Sequence, residues 1–599
     1  MKAILRQCAT GKPKQIIKNV KSIKEEHGQL IRMYLHRNPF KMSSIIKSYA
    51  LSSSHLHQAY LAFTQIQQPT LLIFNYLIRG SSLSDNPYEA ILMYTHLMYN
   101  SRGLLGDNLT FIFLFRACSR VHNLLLAQVF HLQVLKLGFG SYLYVANSLI
   151  TMYASFRELE CAHKVFDEIP DRDLVSWNSL ICGYSWCNKF KEVLGLFHSM
   201  QEADVIPDSV TMVKLVLACN FLGDDAIVDS VVKYMEENHV HIDTYLGNTL
   251  IDMYGGRGLV DLAQTVFDGM QEKNIVSWNA MITGYAKAGN LVAANKLFND
   301  MPSKNVISWT SMISGYVQAN RCSDAVKLFQ EMMDANVRPD EVTIATVLSA
   351  CSRLGSLDFG QAVHEYICRH GVKADVYVGN TLIYMYCKCG AVDKALEVFH
   401  EMKMKDGVSW TSVILGLAVN GFVDNSIELF SLMLKNGVQP THGSFLGVLL
   451  ACTHAGLVNQ GLEYFENMEK VYGVKPEMKH YGCVVDLLSR SGNLDKAYKF
   501  IKEMPVAPDV VVWRILLSAC KLHGNLVLAE IATNKLLKLD PSNSGNYVLL
   551  SNTYAGSDRW NEASKMRELM VEGDVSKPSG WSSIEINGPT TNKSQCPFQ

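Results

Sequence analysis

The chain has 599 residues, with 55 basic and 56 acidic side chains and a formal net charge of −1. That balance excludes a polycation that grips phosphates indiscriminately, while leaving room for a local basic groove. An apolar fraction of 48% excludes a disordered chain.

The first 24 residues hold seven Lys or Arg and no Asp or Glu. An acid-free start is the mark of an organelle-targeting segment. It is neither Ser- nor Arg-rich, so a basic helix that simply opens the fold explains it equally. Residues 1–38 as a whole read as basic and helical, with Ile16, Ile17, Val20 and Ile23 on one side.

From residue 39 the chain is built from variants of one two-helix unit, clearest in Leu174–Asp208. Val175, Leu180, Ile181 and Tyr184 fall at helical spacing, and Val193, Leu194, Leu196, Phe197 and Met200 do so again. Asn188 lies between them, where a turn is expected, and Val205, Pro207 and Asp208 end the second helix. So short a unit cannot bury two apolar faces alone and needs a copy on each side.

The copies recur with fixed arithmetic. Trp177-Asn178 returns as Trp278-Asn279, Trp309-Thr310 and Trp410-Thr411, in steps of 101, 31 and 101. Ala117-Cys118 returns at Ala218-Cys219, Ala350-Cys351 and Ala451-Cys452, in steps of 101, 132 and 101. A step of 101 is two 35-residue units and one of 31, so three unit types rotate, with one extra short unit near 275–305. Units run 71–107, 108–142, 143–173, 174–208, 209–243, 244–274, 275–305, 306–340, 341–375, 376–406, 407–441, 442–477 and 478–509, after a degenerate copy at 39–70. Such an array is expected to be all-α and quasi-one-dimensional, without a single core. Segments 510–543 and 544–578 keep the two-helix pattern but drift from the repeat. Residues 579–599 lack periodicity and are expected to be a disordered tail.

Fifteen cysteines is an odd number, and no Cys-x-x-Cys pair exists. Cys118, Cys219, Cys351 and Cys452 recur at one repeat position, with Cys520 alike, which reads as small buried apolar residues in a reducing compartment. Thr441–Leu462 lacks charge but contains His442, His454, Asn459 and Gln460, so it reads as a packed helix plus loop and not a membrane span. No His is followed at +2 by Glu, and His364-Glu365 meets Cys368 where a metalloprotease has His. There is no Gly-rich phosphate loop and no Gly-x-Ser-x-Gly elbow. The expectation is a non-catalytic chain with no metal and no cofactor.

Tetratricopeptide repeats have a similar length but carry a Trp-Leu-Gly-Tyr pattern. The units here read Val-Ser-Trp-Asn-(Ser/Ala)-(Leu/Met)-Ile-x-Gly-Tyr and close with Val-x-Pro-Asp. This resembles the pentatricopeptide repeat family, and the rotation of 35, 35 and 31 resembles its plant subclass of P, L and S units. Residues 510–578 resemble the E-type extension of that subclass, through Val512-Trp513-Arg514, Leu517-Ser518-Ala519-Cys520, Gly545–Asn552 and Trp560. After it, Pro578-Ser579-Gly580-Trp581-Ser582-Ser583-Ile584-Glu585 scrambles the family's usual stretch, so the extension reads as truncated, with no DYW deaminase domain.

The resemblance implies a right-handed α-solenoid that binds single-stranded RNA, one base per unit. It implies that the fifth and last residues of P and S units choose the base. Asn75/Asp107, Asn147/Asp173, Asn178/Asp208 and Asn380/Asp406 then suggest uracil. Asn248/Asn274 and Asn279/Asn305 suggest a pyrimidine, cytosine favoured. Thr310/Asp340 suggests guanine, and Thr411/Thr441 a purine. Val175, Val276, Ile307 and Val408 would sandwich bases. L units present apolar fifth residues (Ile112, Val213, Ala345) and Gly482 leaves its unit open. The site implied over 71–441 is 5′-U-N-U-U-N-(C/U)-(C/U)-G-N-U-R-3′. An Asp after Pro can instead simply cap the next helix.

The resemblance further implies a plant-organelle factor, mitochondrial or else of the chloroplast. It would direct C-to-U RNA editing by recruiting a DYW-type cytidine deaminase and multiple organellar RNA editing factors in trans. The alternatives are an RNA stability, processing or splicing factor, and, more remotely, a protein-binding scaffold.

Overall fold

The structure is a computed structural model that describes residues 20–52, 55–100, 104–371, 375–573 and 575. The basic start through residue 19, with Ile16 and Ile17, and the tail from 576 lie outside the described residues, as do the expectations placed on them. Among the described residues the chain forms 33 α-helices and no strand. None is long and apolar enough to cross a membrane.

The helices come in hairpins, and the sequence explains one hairpin in detail. Leu174–Trp186 starts after Asp173, whose side chain accepts the Ser176 N–H. The chain turns at Asn188, in the left-handed region at φ 59°, which asparagine tolerates. Phe190–Glu202 returns, burying Phe190, Val193, Leu196, Phe197 and Met200. The first helices that carry Ala-Cys are one residue longer and close differently. Ser209–Leu222, Glu341–Leu354, His442–Ala455 and Val510–His523 each end on a glycine at φ near 70°, where a Cβ would be strained. Thus Thr441–Leu462 is one packed helix, a turn at Gly456 and the start of the next helix.

Two compact units divide the chain, Met1–Ser277 and Trp278–Gln599. Within each, a hairpin's first helix packs on its own second helix and beside the first helix of the next hairpin. First helices are therefore nearly apolar all round, and their Cys and Ala positions go inside. Cys118, Cys219, Cys351, Cys452 and Cys520 are free and buried. Burial pushes the thiols of Cys118, Cys351 and Cys520 up to about 12, so they are inert packing groups.

A second repeated contact is titratable. His131 Nδ1 lies 2.8 Å from Tyr153 Oη, and His364 Nδ1 lies 2.9 Å from Tyr386 Oη, each bridging neighbouring hairpins. Burial lowers both imidazole pKa values, against nearby carboxylates that raise them. Above the unfolded value of about 6.5 both states are neutral and nothing is lost. Below it the unfolded chain binds protons that the native chain refuses, so stability falls with pH. The melting temperature should be level from pH 8 to 7 and drop on acidification. The double variant His131→Phe, His364→Phe should drop less.

Candidate nucleic-acid interface

The last residue of a unit is the N-cap of the next hairpin. Asp107, Asp173, Asp208 and Asp406 each accept the backbone N–H three residues on, at 2.8–3.0 Å. Asn305, Asp340 and Thr441 do the same, at 3.0, 2.8 and 3.3 Å. The capping reading is therefore correct, and each cap contributes about 1 kcal/mol. Asp406 shows the electrostatic consequence. Partial burial acts to raise its pKa, but hydrogen bonds from the Ser409 N–H and hydroxyl and from Asn380 hold it below the ordinary carboxylate range.

The same side chains do a second job. Each reaches sideways to the fifth residue of its own unit, some thirty residues earlier in sequence. Asn75 Nδ2 donates to Asp107 at 3.0 and 3.2 Å, Asn178 to Asp208 at 3.0 Å and Asn380 to Asp406 at 3.2 Å. Asn147 reaches Asp173 at 3.5 Å, while Asn248 meets Asn274 and Asn279 meets Asn305, both at 3.3 Å. Thr411 and Thr441 share a 2.8 Å hydroxyl contact. Only Thr310 and Asp340 fail to touch directly. Thr343 stands between them, 2.6 Å from the Thr310 hydroxyl and donating to Asp340 Oδ1 at 2.6 Å.

A carboxylate can only accept, so it fixes the amide facing it: Nδ2 turns toward the Asp and Oδ1 turns away. In Asn75, Asn178 and Asn248 that Oδ1 accepts from the hydroxyl of Thr110, Thr211 or Ser277, at 2.6–2.7 Å. In Asn147, Asn279 and Asn380 it is buried and has no donor among the described residues. Burial is the feature the sequence did not disclose. Asn75, Asn147, Asn279 and Asn380 are 4–9% exposed, whereas Asn178, Asn248, Thr310 and Thr411 are partly open. For the buried four, a base would have to displace a covering side chain to reach the amide edge.

Apolar side chains flank these pairs. Val175, Val276, Ile307 and Val408, at the second position of their units, are each about half exposed. Sequence reasoning missed their equivalents, Leu72, Leu109, Tyr144, Tyr245, Val342 and Tyr377, which are exposed in the same register. The signal was there: each follows the helix cap by two residues. Beside Thr310 a cavity of about 340 Å³ opens, walled by Ile307 and Val342 and reached by Asp340, Lys287, Ser311 and Gln318. Among the described residues no group of three or more His, Cys, Asp or Glu could hold a metal ion.

Comparison with known proteins gives the family. The pentatricopeptide repeat descriptions match at 144–174, 172–219, 248–275, 273–306, 304–353, 370–403, 408–438 and 479–507. Pentatricopeptide repeat-containing protein At2g22410, mitochondrial, of Arabidopsis thaliana is 41% identical over 94% of this chain and 83% of its own length. The chain belongs to the pentatricopeptide repeat family. Another relative, At1g08070, chloroplastic, is 37% identical over 95% of this chain and 77% of its own length. The crystal structure of the maize pentatricopeptide repeat protein PPR10 in complex with an 18-nt psaJ RNA element shares the fold at a TM-score of 0.60. It is 17% identical and covers 90% of this chain and 84% of that one.

An E motif matches residues 523–585 of this pentatricopeptide repeat protein. The hairpin that leads into it keeps the repeat register. Asp509 caps Val510–His523 through the Val512 N–H at 2.9 Å, so Arg514 occupies the fifth position. On the second helix of that hairpin, Leu526–Leu539, Glu530 accepts from Tyr554 at 2.8 Å and pairs with Arg559, tying this hairpin to the one that follows.

Proposed function

We propose that this protein binds single-stranded RNA one base per unit, in a plant organelle. It would mark sites for C-to-U editing and bring a cytidine deaminase and accessory editing factors in trans through the E motif. The observation that carries the RNA reading is the sideways hydrogen bond from the fifth residue to the next helix cap, direct in seven of the eight pairs and through Thr343 in Thr310/Asp340. It supplies a mechanism for base choice.

Where the cap is Asp, Nδ2 is engaged and only the Oδ1 acceptor is left for a base, which must join the Thr hydroxyl already on Oδ1 in Asn75 and Asn178 and displace the cover over Asn75, Asn147 and Asn380. Uracil meets it with N3–H, and cytosine, whose N3 is itself an acceptor, does not. Where the cap is Asn, its own Nδ2 can donate instead, so the pair can turn over and present Nδ2 to cytosine. Asn248/Asn274 and Asn279/Asn305 are therefore pyrimidine positions with cytosine favoured. Thr310 offers a smaller acceptor, with the free Asp340 oxygen beside it, a match for the N–H donors of guanine. The half-exposed Val175, Val276, Ile307 and Val408 would stack on neighbouring bases, at about 1–3 kcal/mol each.

Asn178→Thr tests the mechanism. Preference at the fourth base of 5′-U-N-U-U-N-(C/U)-(C/U)-G-N-U-R-3′ should move from uracil to guanine, with other positions unchanged, by filter binding to single-base RNA series. Unchanged uracil preference would refute the assignment of that unit.

The editing role rests on the E motif, and the P, L and S rotation supports it. Sequencing organelle transcripts from plants lacking the protein should reveal at least one site that is no longer converted. Altered transcript ends or retained introns with normal editing would favour a processing or splicing role instead. The relatives' names point to mitochondrion and chloroplast alike. Mitochondrion is the reading adopted, to be checked by organelle fractionation.

A further inference from the structure

The nucleotide-facing register does not stop at residue 509. Arg514 follows its cap by five residues, as Asn178 follows Asp173. Its Nη2 reaches Asp540 Oδ2 at 3.5 Å; this acid closes Leu526–Leu539 three residues before Asn543, the cap of the next helix, so it faces the fifth residue across the unit without itself being the cap. Val511, at the second position, is exposed like Val175. The pair is half-open: the side chains are 36% and 28% exposed. Arg514 Nε, however, is buried and meets no acceptor among the described residues. Before it, Gly482 brings no side chain to the row.

The geometry points to Arg514 and Asp540 as a further base-reading pair, within the E-type segment, that takes guanine. This rests on the RNA-binding reading. A guanidinium fork offers paired donors, and the adjacent O6 and N7 of guanine are the paired acceptors that fit it. The carboxylate accepts, and guanine also carries N1–H and N2–H donors. Adenine lacks the O6 acceptor and the N1–H donor, and the pyrimidines lack N7. A phosphate would gain less, because Asp540 neutralises the arginine and repels a second anion.

The unit bearing Arg514 is the third after 407–441, so the base in question is the fourteenth. The full chain is titrated with 14-nucleotide RNAs that carry G, A, C, U or an abasic site at that position. The wild type should favour G roughly tenfold over the others. Arg514→Lys and Arg514→Gln, with melting temperatures near wild type, should lose that preference while uracil preference at the fourth base persists. Arg514→Lys keeps the charge without the fork. If either variant unfolds, Asp540→Asn should weaken the G preference on its own. Wild-type affinity equal for all five RNAs, with the fourth base still discriminated, overturns the inference alone. An equal loss for all five RNAs on Arg514→Gln makes the contact a phosphate clamp and also overturns it. Failure to discriminate any base overturns the RNA-reading mechanism beneath it.

Discussion

Gly183→Val should destabilise the first unit near the upper end of about 1–3 kcal/mol. Gly183 sits where the helix Leu174–Trp186 crosses Leu143–Ser155, and a Cβ there would lie 2.7 Å from Ala154 Cβ. Alanine has no rotamer with which to retreat, so the helices must part. Even Gly183→Ala meets this contact. Its gain of about 1 kcal/mol in helix propensity is outweighed by the overpacking. Gly80 and Gly315 hold the same position in their hairpins. A Cβ there would lie 2.5 Å from the Ala50 carbonyl oxygen and 2.6 Å from Ala286 Cβ respectively. Gly195 is the control. It lies in the same hairpin as Gly183, on the helix Phe190–Glu202, with nothing within 4 Å of an added Cβ. Gly195→Ala should stabilise by up to about 1 kcal/mol. Urea unfolding of the three variants, with hydrogen exchange to locate the change, decides the matter. Gly183→Val as stable as wild type would show that the helices can separate at no cost.

Trp309→Ala should cost about 3–5 kcal/mol, the range for emptying an aromatic site. The indole is 7% exposed and meets Phe298 edge-on with centroids 4.9 Å apart. Lys304 Nζ lies 5.0 Å from the same Phe298 centroid, so that ring takes an indole and a cation together. Phe166 with Trp177 and Arg172, and Phe399 with Trp410 and Lys405, repeat the arrangement. Trp309→Phe should cost far less, under about 1.5 kcal/mol, because the buried Nε1–H has no acceptor among the described residues to lose. Because a repeat chain couples mainly nearest neighbours, loss of exchange protection in Trp309→Ala should concentrate in Leu291–Asp300 and Val306–Gln318. Uniform loss along the chain would contradict this.

The sequence made the periodicity legible, and with it the hairpins and the caps. Helix starts at Leu174, Val306 and Gly407 follow from apolar spacing and a preceding Asp or Asn, both local properties. The pairing of Asn178 with Asp208 was legible only through the resemblance, since nothing local in a 30-residue separation predicts a hydrogen bond. The burial of Asn147 and Asn380 was not legible at all. It depends on what the folded array packs over each amide, which no local spacing records. Thr343 between Thr310 and Asp340 escaped notice for a related reason. Sequence spacing names the two ends of a hydrogen-bonded chain but not what stands between them. Arg514 was visible as part of the E-type segment, yet its fifth position in a capped hairpin emerged only once Asp509 was seen to cap the helix.

On the proposed reading one side chain is both helix cap and base selector, and that bears on how such a protein acquires new targets. Asp, Asn and Thr all begin helices well, so exchanging one for another at positions 208, 305 or 441 leaves the hairpin anchored. A lineage could thus drift from one transcript to the next by single replacements that never pass through an unfolded ancestor. Its vocabulary would be confined to the few residues that can start a helix.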